Sequence, residues 1–331
     1  MNDTPILFGC DVISLYPNLD PVSIARITAD AIRETKVELK GINYMFLIVY
    51  LTLVLGTEQL SKHGLLHCVP KRRTGNNSNS LVGELNKDLD NWDFDKTKIS
   101  KRDKIELQAI MIQVMVLLLT RTTCYKFGGR IFRQKDGLGI GLRGSAALAR
   151  LAMCKWDALW GDIQNKWRLI VYLYCRYVDD LRLFLHPINP GWTWTSNGWV
   201  YDELLMDDRD KLTRTIEEVT KSMNAIWGFV KFTSESESDF IDHYLPTLDF
   251  ATQVQSDGHI QYKFFSKPMA SNLVLQIGTA LSKGCVFSSL RQDLVRRLLN
   301  SDLSLPVNTR VQMVNEYIQL LVNSGHKFQY I

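Results

Sequence analysis

Arg176-Tyr177-Val178-Asp179-Asp180 sets two adjacent carboxylates in an apolar frame. Ile170-Val171-Tyr172-Leu173-Tyr174 precedes it and Leu181-Arg182-Leu183-Phe184-Leu185 follows. Two strand-like runs around a short charged turn read as a β-hairpin with the Asp pair at its tip. Like charges held together are costly, and folds tolerate them mainly where a cation neutralises them. The hairpin therefore reads as one half of a divalent-metal site.

The other half lies near the start of the chain. Phe8-Gly9-Cys10-Asp11-Val12-Ile13-Ser14-Leu15-Tyr16 is a short apolar run with one Asp at its centre and an aromatic five residues beyond it. A lone Asp is by default a cap or turn residue. Asp11 together with a distant Asp-Asp hairpin is what a two-metal nucleotidyl transferase needs, because two Mg²⁺ roughly 3.5–4 Å apart clamp the attacking and leaving oxygens. Mg²⁺ takes hard oxygen ligands, usually one or two carboxylates plus substrate phosphates. Asp11 and Asp179 are assigned as bridging ligands and Asp180 as a weaker or outer one. Mn²⁺ is an alternative ion.

Further strings follow in chain order. They are Asp11-Val12-Ile13-Ser14-Leu15-Tyr16-Pro17-Asn18-Leu19, Gln134-Lys135-Asp136-Gly137-Leu138-Gly139-Ile140-Gly141-Leu142-Arg143, the Tyr177-Val178-Asp179-Asp180 box, Thr247-Leu248-Asp249-Phe250 and Phe264-Phe265-Ser266-Lys267-Pro268. With these strings the chain resembles a reverse transcriptase, most nearly those of Penelope-like retroelements, over most of its length. The resemblance implies an α+β fold: a right-hand polymerase palm, its ferredoxin-like antiparallel sheet backed by helices, with a helical thumb and truncated fingers. It implies an RNA-directed DNA polymerase that adds dNTPs to the 3′-hydroxyl of a DNA or RNA primer on an RNA template. Tyr16 would be the steric gate against a ribose 2′-hydroxyl. Gln134, Gly137 and Gly141 would let the backbone approach the nucleotide, and Arg143 would contact phosphate. Tyr177 and Lys267 would contact primer or template. Lys231 is the candidate general acid for the leaving pyrophosphate, and Asp249 reads as structural.

The chain departs from the family pattern at Ser145-Ala146 and Arg150, which follow the glycine loop where an Ala-Pro and an Asn are usual. Ten residues precede Asp11, which gives the expectation of truncated fingers, and the family's endonuclease domain is not expected within these residues. The expected division is 1–262 for palm and partial fingers and 263–331 for the thumb. An insertion is expected at about 60–101 and an excursion at about 187–202. A second reading stays open: a nucleic-acid-binding remnant that keeps the palm without holding triphosphate.

Bulk composition is that of an ordinary globular protein. The 331 residues are 46% hydrophobic and 22% charged, enough for a sizeable core. A net charge of +4 permits nucleic-acid binding without announcing it. The six cysteines are scattered with no Cys-x-x-Cys pair, which argues against a zinc site and a secreted disulfide scaffold. The polar N-terminus shows no signal peptide, so an intracellular location, nuclear or cytoplasmic, is expected. Tyr44 to Leu55 is apolar but shorter than the ~20 residues a membrane span requires. It reads as a buried helix, and no membrane partner is expected.

Local signals fix the remaining elements. The first strand is expected to end near Tyr16. Asp20 and Pro21 open a helix reaching about Lys36. Ala109 to Leu119 reads as a core helix behind the sheet, and Lys71 to Ser80 as a basic loop. Phe127-Gly128-Gly129-Arg130 reads as a tight hairpin, followed by a helix from about Ser145 to Trp160. Gly191 to Trp199 reads as a hydrophobic flap, although exposed tryptophans can also stack on bases. Asp207 to Ala225 is expected to be helical, Phe229 to Thr233 a strand, and Leu273 to Asn323 a helical thumb carrying Arg291, Arg296 and Arg297.

Overall fold

Ile6–Val12 forms strand β1, buried along its length until it opens to solvent at Asp11. The computed structural model describes residues 5–68, 71–72, 92–93, 99–167, 171–188, 192–201, 211–267 and 273–327. The strand stops four residues short of Tyr16. Ser14 turns into the left-handed region (φ 47, ψ 54) and starts a one-turn helix, Leu15–Asn18 (α1). Pro17 has no N–H to give to a ladder, so the apolar run could not continue as a strand. The chain forms two compact units. One is Ser14–Leu159; the other combines Met1–Ile13 with Trp160–Ile331. Together they make an α+β protein whose sheets are all antiparallel among the described residues.

The Ser14–Leu159 unit is mainly helical. Helix α2 (Pro21–Thr35) starts as its sequence dictates: the Asp20 carboxylate accepts from Ser23 N at 2.8 Å and Pro21 takes the first helical position. Helices α3 (Tyr44–Leu55) and α4 (Thr57–Lys62) follow, and Lys71–Arg72 (β2) pairs with Trp92–Asp93 (β3). Residues 73–91 and 94–98, most of the expected insertion and basic loop, lie outside the described residues. Helix α5 (Lys101–Arg121) begins with a capping box between Ser100 and Asp103. It lies along α2 and against α3, with Leu47, Ile48, Leu51, Leu60, Leu107 and Ile110 in one core cluster. Burying each such side chain is worth about 1.5–3 kcal/mol. No helix of the described residues is long and apolar enough to cross a membrane. Cys124–Phe127 (β4) and Arg130–Arg133 (β5) form the expected Gly-Gly hairpin. Helix α6 (Arg143–Trp167) begins in this unit and is longer than expected.

The other unit is built on a four-stranded sheet ordered β10-β1-β7-β6, with β6 Val171–Tyr177, β7 Asp180–Leu185 and β10 Phe232–Ser236. Phe8, Cys10, Val12, Leu181, Leu183 and Phe232 are buried along it. Helix α7 (Lys211–Asn224) packs on β10 and β1. It buries Ile216, Val219 and Met223 at helical spacing. Trp192–Thr195 (β8) and Gly198–Tyr201 (β9) form a hairpin fastened to α7, where Glu218 accepts from Trp194 N at 2.7 Å and from Thr193 Oγ1 at 3.1 Å. Trp194 meets Trp199 edge-on, and Trp199 is buried, so this excursion is a packed flap. Residues 202–210 lie outside the described residues.

A three-stranded sheet, β11 (Leu245–Thr247), β12 (Phe250–Val254) and β13 (Ile260–Phe264), leads to helices α8 (Lys283–Leu299) and α9 (Val307–Asn323). The expected helical start at Leu273 does not form: 273–282 is coil and turn, and Ser282 caps α8 by accepting from Cys285 N at 3.3 Å. The two helices pack through Val286, Leu290, Tyr317 and Leu321. Residues on both sides of position 262 belong to the same unit. Asp302 N donates to Tyr262 O at 2.9 Å, and Phe264 N donates to Ser301 Oγ at 3.4 Å. These bonds hold the helices to β13.

Candidate active site

Strand register brings the three aspartates into one sheet. Asp11 lies directly opposite Asp180 on β7 and opposite Thr233 on β10. Tyr177 and Asp180 form the last pair of the β6–β7 hairpin, so Val178 and Asp179 make its two-residue turn, and Asp180 opens the returning strand. Val12 N donates to Asp179 O at 3.0 Å, which fixes the turn against β1. Arg176 Nη1 donates to Val178 O at 2.8 Å and braces the turn from within. Val178 sits at φ 59, a conformation that is an outlier for a β-branched residue. Holding it costs about 1–3 kcal/mol and marks a position fixed by its surroundings.

Arg182 governs the electrostatics. Two residues after Asp180, it shares that residue's face of β7. Its Nη1 donates to Asp180 Oδ1 at 2.6 Å and its Nε to Thr247 Oγ1 at 2.6 Å, while Nη2 donates to Pro246 O. Gly9, its partner on β1, leaves the space it needs: a Cβ there would lie 2.5 Å from Nη1. Burial, with the like charges of Asp179 and Asp180, holds the Asp11 carboxyl above the ordinary range, although Val12 N–H and Arg182 pull the other way. Asp180 is raised chiefly by burial, with Arg182 opposing, Asp179 adding, and Lys267 opposing from the segment after β13. Three carboxylates thus face two cations, Arg182 and Lys267. Like charges opposite one another across a strand pair are destabilising, so the cluster has a net demand for positive charge.

The donor set is carboxylate oxygen alone, the kind Mg²⁺ and Mn²⁺ take. Oxygens from Asp11, Asp179 and Asp180 do not all lie within 4.8 Å of one another. One Asp180 oxygen is engaged by Arg182. Tyr177 is exposed on β6 beside the turn, in register with Asp180. Lys267 is exposed. Lys231 precedes β10: its carbonyl accepts from Ile13 N at 2.8 Å, and its exposed Nζ donates to Asn224 O at 3.0 Å. Asp249 pairs with Arg296 at 2.6 Å. Arg297 is nearly buried, pairs with Asp293, and stacks over Phe264 and Tyr317. It is therefore a packing residue and not an exposed duplex contact.

The Ser14–Leu159 unit holds the other expected residues. Leu138 N donates to Tyr16 O at 2.8 Å, so the glycine loop docks on the turn containing Tyr16 and Pro17. Gly137 has φ +75, and a Cβ there would lie 2.6 Å from Pro17 backbone carbon; only glycine fits. Gln134 folds back to donate from Nε2 to Asp136 O at 2.9 Å. Gly141 has φ +88 with open space around it. Arg143 opens α6, and its side chain lies outside the described residues.

Sequence reasoning missed Arg182, Gly9 and Arg176 as positioning residues. The i, i+2 spacing of Asp180 and Arg182 was the signal for the first; the others needed the strand register. It also passed over the β4–β5 hairpin, where Tyr125, Phe127, Ile131 and Phe132 are exposed beside Lys126, Arg130 and Arg133, and Tyr125 stacks on Phe132 at 5.6 Å. Comparison with known protein families, curated proteins and solved structures found no match.

Proposed function

We propose that this chain is the core of an RNA-directed DNA polymerase of a retroelement, adding dNTPs to a primer 3′-hydroxyl on an RNA template. The observation that carries the reading is the register that sets Asp11 opposite Asp180, with the Asp179 turn hydrogen-bonded to the same strand. A hairpin with one carboxylate in its turn and one opening its returning strand, beside a third on the neighbouring strand, suits divalent metals better than any structural role. The sheet order β10-β1-β7-β6 with α7 behind it suits a ferredoxin-like palm, and α8 with α9 suits a thumb.

Asp11 and Asp179 would hold two Mg²⁺, which when bound stabilise charge on the attacking and leaving oxygens. Arg182 favours the ionised form of Asp180 and orients it, and Gly9 keeps room for Arg182. Val12 N–H and Arg176 fix the turn, so Asp179 is presented without reorganisation. Tyr16 is assigned as the steric gate. The Gln134–Gly141 loop, docked on the turn that carries Tyr16, and Arg143 are assigned to the incoming nucleotide. Tyr177 and Lys267 are assigned to the primer strand. Lys231 is the candidate proton donor to pyrophosphate, and it would first have to leave the Asn224 carbonyl.

The second reading, a binding remnant without catalysis, draws on the β4–β5 hairpin. Exposed aromatics among cations suit single-stranded nucleic acid whatever chemistry follows. Primer extension on an RNA template, with Mg²⁺, separates the two. Extension by wild type that is lost in Asp179→Ala supports the polymerase. Duplex binding by both proteins with extension by neither supports the remnant.

A further inference from the structure

We propose that His67, Cys68 and Asp103 form a Zn²⁺ site, separate from the aspartate cluster and independent of the polymerase reading. The three are distant in any sequence motif, since one His-Cys pair and an Asp thirty-five residues later match no common zinc spacing. The fold supplies the geometry. A short 3₁₀ turn, Leu66–Cys68, follows α4 and lies against the first turn of α5. One ligand atom from each residue lies within 4.8 Å of the other two, and among the described residues this is the one group of three that meets that condition.

The His67–Asp103 distance is close to the one an ion would impose. His67 Nε2 and Asp103 Oδ2 are 3.1 Å apart. A tetrahedral Zn²⁺ with nitrogen and oxygen bonds of about 2.0–2.1 Å separates those ligands by about 3.3 Å. The ion therefore fits between them with a shift of a few tenths of an ångström. With a thiolate bond of about 2.3 Å the sulfur stands about 3.6 Å from each partner, within reach of a rotamer adjustment at Cys68. Imidazole plus thiolate selects a borderline ion such as Zn²⁺ over Mg²⁺. On binding, the Cys68 thiol loses its proton to solvent, and thiolate and carboxylate together balance the ion's two charges.

The surroundings are arranged as a ligand shell. Asp103 is fixed by Ser100, whose N and Oγ donate to Oδ2 at 3.0 and 2.8 Å, and the ion would replace the direct His67 contact at that same oxygen. Cys68 is buried and Asp103 nearly so, while His67 is half exposed. One turn along, His63 Nδ1 bonds Glu106 Oε1 at 2.8 Å, and Glu106 also receives Arg33. This second clasp holds α4 in line with α5 without using the ion. Three protein ligands leave the fourth position to water. The role is structural: the ion would pin the Leu66–Cys68 turn to the start of α5.

The test uses the full chain. After chelation and desalting, Co²⁺ is titrated in as a spectroscopic substitute for Zn²⁺. The proposal expects about one equivalent bound, a near-ultraviolet thiolate-to-cobalt charge-transfer band, and displacement by Zn²⁺. Cys68→Ser abolishes the band, His67→Ala weakens binding at least about tenfold, and Cys285→Ser changes neither. His67 is half exposed, so its variant keeps the fold and serves if Cys68→Ser does not. Absence of the band in wild type, its survival in Cys68→Ser, or unchanged affinity in His67→Ala overturns the proposal.

Discussion

At the scale of the residue, Asp11 shows how the site trades stability for charge. Its carboxyl, like that of Asp180, is held above the ordinary range by burial and by the other aspartates. The metal-free folded chain therefore binds more protons than the unfolded one between the ordinary carboxylate range and the raised values. Stability falls as pH rises through that window and is flat above it. Asp11→Asn removes this penalty, so with chelator at neutral pH its melting temperature should exceed that of wild type; a lower one would contradict the electrostatic account. Gly137→Ala acts in the opposite direction. Its φ is positive and its Cβ would meet Pro17 backbone, so the loss should exceed the about 1–3 kcal/mol of a strained backbone alone, read by thermal melting. Asp11 and the Asp179–Asp180 pair were legible in the sequence because their meaning is local: carboxylates in apolar strand frames. The demand for glycine at 137 was only partly legible, because the opposing atoms belong to a residue 120 positions upstream.

At the scale of the element, the β7 strand and the β4–β5 hairpin make separable predictions. Arg182→Met leaves Asp180 without its closest cation. Asp180 then keeps its proton to higher pH, so on the proposed polymerase reading the acid limb of primer extension should move upward. The lost charge-assisted bonds should cost about 1.5–3 kcal/mol of stability; an unmoved limb would remove Arg182 from the account. On the hairpin, Tyr125→Ala or Phe127→Ala should weaken binding of single-stranded RNA by about tenfold or more, as one stacked base is worth about 1–3 kcal/mol. Fluorescence anisotropy at fixed salt reads this directly, and equal affinities would show that the exposed rings serve another partner. Elements with strong punctuation were legible: α2 begins at its Asp-Pro signal and β4–β5 turns on Gly-Gly. Strand ends were not. β1 stops at Val12 because Ser14 and Pro17 divert it, and β10 begins at Phe232, three residues after the expected start. There the register with β1 decides the boundary: Ile13 N donates to Lys231 O just before the strand, and Phe232 N, at its first residue, donates to Asn224 Oδ1.

At the scale of the whole molecule, long-range strand pairing was the least legible feature. The resemblance implies a boundary at about 262; across it Asp302 N donates to Tyr262 O, Phe264 N donates to Ser301 Oγ, and Arg297 stacks on Phe264, tying α8 and α9 to β13. The compact units divide after Ile13 and before Trp160, because β1 pairs with strands more than 160 residues later and its neighbours in sequence do not. Long-range strand pairing of this kind leaves no local trace. It is also what brings Asp11 to Asp180, so the central claim is a claim about that pairing. The measurement that tests it most directly is single-nucleotide addition to a primer on an RNA template by the full chain, with wild type, Asp11→Asn and Asp179→Ala compared in Mg²⁺ and in chelator. The account predicts addition by wild type in Mg²⁺ alone and a loss of about a thousandfold or more in each variant, the several kcal/mol that metal ligation supplies. Addition by Asp11→Asn at the wild-type rate would contradict it.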